Sequence, residues 1–173
     1  VWRPEVVEVG YGTPWRHLLS PDQLAGPVLL GGYGGTWAPA GSLTERRLSR
    51  ADLTTQGLTL GAGVVAAVAP GACPLTVTAA LTAYLAGESA GRCGPCVNGL
   101  PELARAFARY VSLDAPPEAD AGRRVAELAG LVRGRGACAH PDGAARLVTS
   151  ALAACPQEVG RHALGSCEYD DPW

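Results

Sequence analysis

The spacing of apolar positions changes near Pro70. Before that point the chain reads as short strands and turns. Val6, Val7 and Val9 predict a brief strand ended by Gly10-Tyr11-Gly12, and Pro27-Val28-Leu29-Leu30 a second one that runs into a turn over Gly31 to Gly35. Between them Thr13 is placed as an N-cap and Pro14 as the first helical residue. Trp15, Leu18 and Leu19 give that helix an apolar face, and Pro21 stops it. The polar stretch with Arg46, Arg47 and Arg50 reads as a solvated loop, and the unbroken apolar run from Gly63 to Ala69 as a buried strand. These elements predict a small α+β domain over residues 1–71.

Beyond Pro70 the period is helical. Pro74 opens a helix with Val77, Leu81, Tyr84 and Leu85 on one face, closed by Gly87. The next begins near Pro95, aligns Leu100, Leu103, Ala104, Phe107, Tyr110 and Val111, and is broken by Asp114-Ala115-Pro116-Pro117. A third carries Val125, Leu128, Ala129 and Val132 and stops before Gly134 and Gly136. A fourth is capped by Asp142, stacks Leu147, Val148, Ala151, Leu152 and Cys155, and is ended or kinked by Pro156. Short joints between four amphipathic helices predict an antiparallel four-helix bundle over 72–165, with 166–173 as a tail. The fold class expected for the whole is therefore α+β.

Composition narrows the function. The 173 residues are 47% hydrophobic and 17% charged, the balance of a chain that folds. Every basic side chain other than histidine is arginine, and 14 of them against 16 acidic groups leave a net charge of -2. Such a surface offers no basic field for nucleic acid or an anionic membrane. The stretch Leu53 to Gly87 has no charged side chain. Pro70, Gly71 and Pro74 cut it below the roughly 20 apolar residues that a bilayer needs, so no direct membrane insertion is expected. The chain shows no secretory leader and its cysteines are clustered, which together point to a cytoplasmic location with reduced thiols. A start at Val1 is expected of a piece of a longer protein.

Chemistry concentrates on the cysteines: Cys73, Cys93, Cys96, Cys138, Cys155 and Cys167. Cys93 and Cys96 have C-x-x-C spacing on a Gly/Pro turn that feeds a helix. The positive end of that helix and its free N–H groups favour thiolate. Cys138 lies in the glycine-rich joint Gly134-Arg135-Gly136-Ala137-Cys138 ahead of the fourth helix. In an antiparallel bundle the second and fourth helices begin at one end, so Cys93, Cys96 and Cys138 are placed to converge as metal ligands. His140 would complete a Cys3His zinc site as the alternative. Cys155 reads as core, Cys167 as an exposed tail residue, Cys73 as a small residue at a helix cap, and His17 and His162 as surface or satisfied groups. Gly31 to Gly35 fails a dinucleotide fingerprint, because Trp37 stands where its third glycine would be. No nucleophile pairs with a His/Asp set and no two carboxylates are set for acid/base work, so no catalytic residue is assigned.

The segment Glu88-Ser89-Ala90-Gly91-Arg92-Cys93-Gly94-Pro95-Cys96, with Gly99, Cys138, Asp142 and Ala144-Ala145 following in register, resembles the iron-sulfur region of the NADH-binding flavoprotein subunit of respiratory complex I and of related hydrogenase and formate dehydrogenase subunits. Val7-Glu8-Val9, Gly12-Thr13-Pro14, the turn at Gly31 to Gly35 and Leu60 to Val65 resemble, more loosely, the ubiquitin-like β-grasp domain that precedes it in that family. The resemblance implies an electron-transfer module in which Cys93, Cys96 and Cys138 ligate an iron-sulfur cluster, while Gly91, Gly94 and Pro95 shape the turn and Arg92 balances cluster charge. It also implies an upstream FMN and NADH domain of the same chain and further oxidoreductase subunits as partners. One position departs from the pattern: the family's first cysteine is Ala90 here. Alanine cannot ligate, so a [4Fe–4S] cluster with a foreign fourth ligand, a [3Fe–4S] cluster, and a docking module with a degenerate or zinc-occupied site all follow as readings.

Overall fold

The structure is a computed structural model describing residues 5–114 and 116–169, so the end of the expected tail, 170–173, lies outside the described residues. It is α+β, with seven helices and a three-stranded antiparallel sheet.

The sheet has the order β2-β1-β3, built from β1 (Val28–Leu30), β2 (Thr36–Ala38) and β3 (Val65–Ala67). β1 is central. Val28 faces Ala38 on one side and Ala67 on the other, and Leu30 faces Thr36 and Val65. All three residues of β1 are buried, because the sheet is covered on both faces. Val28, Leu30 and Ala38 pack with Trp15, Leu24, Leu43, Leu53 and Leu58 in a small core. Leu29 and Trp37 turn the other way and join the helical core. Double coverage is why β1 reads as an unbroken apolar run rather than an alternation.

The rest of the first half differs from expectation. Residues 5–10 form no strand, and Val6, Val7 and Val9 are exposed. Thr13 does not cap a helix: its hydroxyl donates to the Gly10 carbonyl at 2.6 Å, and Pro14 bridges to Arg47. Only one 3-10 turn follows, Trp15–His17. Pro21, expected as a stop, starts helix α1 (Pro21–Ala25), where a proline at the first helical position loses no hydrogen bond. Ser20 and Gln23 close a reciprocal capping box ahead of it, the Gln23 side chain accepting the Ser20 N–H at 2.8 Å. Within the arginine stretch, Ser49 caps a second short helix, α2 (Arg50–Thr54), by accepting the Asp52 N–H at 3.1 Å.

The second half holds α3 (Pro74–Gly87), α4 (Leu100–Val111), α5 (Ala121–Val132), α6 (His140–Ala154) and α7 (Pro156–Ala163). α3 packs on α4 and α6, α4 on α5, and α5 on α6, which closes a ring, while α7 lies across α4, α5 and α6. Leu75, Leu100, Leu103, Phe107, Val125, Val132, Leu147 and Val148 fill its centre, each burial worth about 1.5–3 kcal/mol. α3 buries Leu75, Thr78, Ala79, Thr82 and Leu85, whereas Tyr84 is exposed. The two threonines enter the core because their hydroxyls donate to carbonyls four residues back, to Pro74 at 2.6 Å and to Thr78 at 2.7 Å. α6 starts at His140 rather than Asp142, and Pro156 both ends α6 and opens α7. β2 packs on α6, where the Trp37 N–H donates to Ser150 Oγ at 3.0 Å, tying the two cores together.

Candidate metal centre

The chain leaves α3 at Gly87 and reaches α4 through Glu88 to Gly99. Gly91 takes φ +62°, a left-handed conformation that reverses the path with no side-chain clash. Gly94 is already helical and Pro95 supplies the fixed φ of a first turn, so Cys93 and Cys96 sit where the helical rod begins. Residues Pro95–Gly99 wind as a wider π-type turn before α4, an irregularity concentrated at functional sites, and Cys96 is its buried residue. Arg92 is exposed and next to Cys93.

The joint bearing Cys138 arrives from the other side. Gly134 donates its N–H to Asp142 Oδ1 at 2.7 Å, so Asp142 pins the joint instead of starting the helix. A Cβ on Gly136 would lie 2.8 Å from the Cys138 carbonyl oxygen and 2.9 Å from Pro141 Cγ, which is why the loop can fold this tightly only with glycine there. His140 Nε2 meets the Leu85 carbonyl at 2.8 Å.

The two segments meet at the thiols. The sulfur of Cys93 accepts from the backbone N–H of Ala137 and then of Cys96, and these hydrogen bonds hold its pKa below the ordinary thiol value. Burial pushes Cys96 up, and the neighbouring sulfurs of Cys93 and Cys138 push it further, against an N–H from Gly91. Thus Cys93 and Cys96 neighbour each other, and both are near the Ala137-Cys138 step. Cys138 and Ala90 are exposed, so this pole of the molecule opens to solvent. Among the described residues the sulfurs of Cys93, Cys96 and Cys138 do not all lie within 4.8 Å of one another, so they are not drawn together around a single ion. The position that would carry a fourth cysteine is filled by the methyl of Ala90.

A sequence comparison decides the family. Residues 76–162 match the model of the NADH-ubiquinone oxidoreductase-F iron-sulfur binding region. The chain belongs to this family. No curated protein matches the chain. Among solved structures, the NAD+-reducing [NiFe]-hydrogenase in its H2-reduced state superposes with a TM-score of 0.72 at 19% identity, covering 94% of this chain and 27% of that one. The air-oxidized state gives 0.72 at 20% identity, covering 88% and 26%. The chain therefore spans about a quarter of the length of those relatives, and the likeness shows a shared fold. As a member of the iron-sulfur region family it also has, among the described residues, no helix long and apolar enough to cross a membrane.

Four further residues come together at the opposite end of α3, and the sequence reading missed them. Cys73, Glu158, His162 and Cys167 each aim a ligand atom so that all four lie within 4.8 Å of one another. His162, expected at the surface or satisfied, is 3% exposed, with Nε2 3.3 Å from Cys73 Sγ and a buried Nδ1 that has no hydrogen-bond partner. Cys167, expected to be exposed, is half-buried, and its Sγ lies 3.7 Å from Glu158 Oε2. Burial opposes the Cys73 thiolate, but hydrogen bonds from His162 and from Thr76 and Leu75 outweigh it and lower its pKa. Burial pushes Cys167 up to about 11, helped by Cys73 and Glu158. One trace of this group was present in the sequence: Glu158 and His162 are four apart and so share one helix face.

Proposed function

We propose that this chain is the electron-transfer module of an NADH dehydrogenase flavoprotein-like oxidoreductase, holding an iron-sulfur cluster through Cys93, Cys96 and Cys138. The reading is carried by one observation: residues 76–162, which contain all three cysteines, match the iron-sulfur binding region of the NADH-ubiquinone oxidoreductase F subunit. When bound, the cluster relays single electrons. The chain's own part is to hold thiolates with the N–H groups of Ala137 and Cys96, to counter negative charge with the α4 end and Arg92, and to keep the turn open through Gly91, Gly94 and Pro95. With Ala90 in place of the fourth cysteine, the cluster is [3Fe–4S], or [4Fe–4S] with an outside ligand at the open pole.

In this reading residues 1–71 are a β-grasp-type unit and 72–165 a four-helix bundle, and the rest of the protein is an FMN and NADH domain upstream with partner oxidoreductase subunits in the cytoplasm. The family membership supports it. A second reading, a docking module with a degenerate or zinc-occupied site, rests on Ala90 alone. Anaerobic purification of the full chain with iron and acid-labile sulfide assays separates them. Replacement of Cys93 or Cys138 by Ser is expected to remove the iron and replacement of Cys155 to leave it. Iron that is indifferent to Cys93 and Cys138 would refute the assignment.

A further inference from the structure

The ring of helices has a second donor set at its other end. Cys73 precedes α3, Glu158 and His162 share a face of α7, and Cys167 follows that helix. Their four ligand atoms lie within 4.8 Å of one another, and three of the residues are buried. A tetrahedral zinc ion with bonds of about 2.0–2.3 Å spaces its ligands roughly 3.3–3.8 Å apart. Two of the contacts have this spacing already: Cys73 Sγ to His162 Nε2 at 3.3 Å and Cys167 Sγ to Glu158 Oε2 at 3.7 Å.

We propose that Cys73, Glu158, His162 and Cys167 form a structural site for one divalent zinc ion, separate from the thiols at the other pole of the molecule.

The chemistry selects the ion. Two soft thiolates and an imidazole exclude magnesium and calcium, and four protein ligands leave no open position, as in structural rather than catalytic zinc sites. Zinc with two thiolates, one carboxylate and a neutral imidazole carries a net charge of -1, and Arg161, which pairs with both Glu158 and Glu168, offsets part of the local negative charge. Binding releases the two thiol protons to solvent. Glu158 Oε2 and His162 Nε2 face the two sulfurs, and zinc would engage both, which a Cys73–Cys167 disulfide would not. The ion would fasten the segment after α7 to the joint that enters α3.

The inference does not rest on the cluster reading, because one is read in zinc and the other in iron and labile sulfide. The full chain, purified anaerobically and dialysed with Zn2+, should retain one zinc per molecule. His162→Gln and Cys73→Ser should each lose it, while Cys93→Ser and Cys138→Ser keep it. Should those first two variants fail to fold, the wild-type chain still decides. Co2+ added in place of zinc should give the intense visible absorption of tetrahedral thiolate cobalt, and Zn2+ should protect Cys73 and Cys167 from alkylation. A folded chain that holds no zinc, zinc that leaves with Cys93→Ser instead, or a Cys73–Cys167 disulfide in the anaerobic protein would each overturn the proposal.

Discussion

The Nε2 of His140 lies 2.8 Å from the carbonyl oxygen of Leu85. A carbonyl only accepts, so this nitrogen carries the proton. The bond ties the first residue of α6 to the last turn of α3, where carbonyls lack helical partners. Through it, the joint that bears Cys138 is fixed against the end of α3, from which the loop to Cys93 departs.

Removing that bond should therefore loosen the metal pole. His140→Ala leaves the Leu85 carbonyl without its donor and is expected to cost about 1–3 kcal/mol in denaturant unfolding. It should also lower the iron retained per chain. His140→Gln, which keeps a side-chain N–H, should recover part of both.

Gly136→Ala places a Cβ 2.8 Å from the Cys138 carbonyl oxygen, so the joint must shift and the Cys138 sulfur moves with it. Iron content should fall. Gly130→Ala is the control: nothing lies within 4 Å of its new methyl, and a mid-helix glycine replaced by alanine should gain about 0.5–1 kcal/mol. Thermal unfolding with iron assay on the two variants distinguishes a local displacement from a general loss of stability.

The helices α4 to α6 were legible because their periodicity is strong, as in Leu100, Leu103, Phe107 and Tyr110 of α4. The first half was less so. Pro21 reads equally as a stop or a start until the Ser20–Gln23 capping box is seen. Val6, Val7 and Val9 have β propensity but no neighbouring strand to pair with among the described residues. The buried face of α3 was legible in part: Val77, Leu81 and Leu85 pack on the core, but Tyr84 does not, and Thr78 and Thr82 join by hiding their hydroxyls within their own helix. C-x-x-C spacing marks Cys93 and Cys96 locally. Cys73 and His162 are 89 residues apart, and only the return of α7 brings them together.

Thiol reactivity should follow local electrostatics. Backbone N–H groups from Ala137 and Cys96 lower the Cys93 pKa, so its thiolate forms at a lower pH than an ordinary thiol with a value of 9.0. Burial pushes Cys155 to about 12, helped by Cys73 and Glu158. In the metal-free chain at about pH 8, iodoacetamide should label Cys93 rapidly and leave Cys155 unlabelled, because the thiolate is the nucleophile. Mass spectrometry of the digested protein reads both positions. As the pH falls, Cys93 labelling should persist below the pH at which an ordinary thiol has ceased to react.

The two cores should be coupled through Ser150. Ser150→Ala removes the acceptor of the Trp37 N–H, which sits in a buried strand, and is expected to cost about 1–3 kcal/mol. Hydrogen exchange should then show faster exchange in β2 than in α4.

Iron and acid-labile sulfide in the anaerobically reconstituted wild-type chain, with EPR before and after dithionite, test the central claim most directly. The account predicts three or four irons with four acid-labile sulfides per chain, and a signal that changes on reduction. A folded chain that takes up neither iron nor sulfide would contradict it.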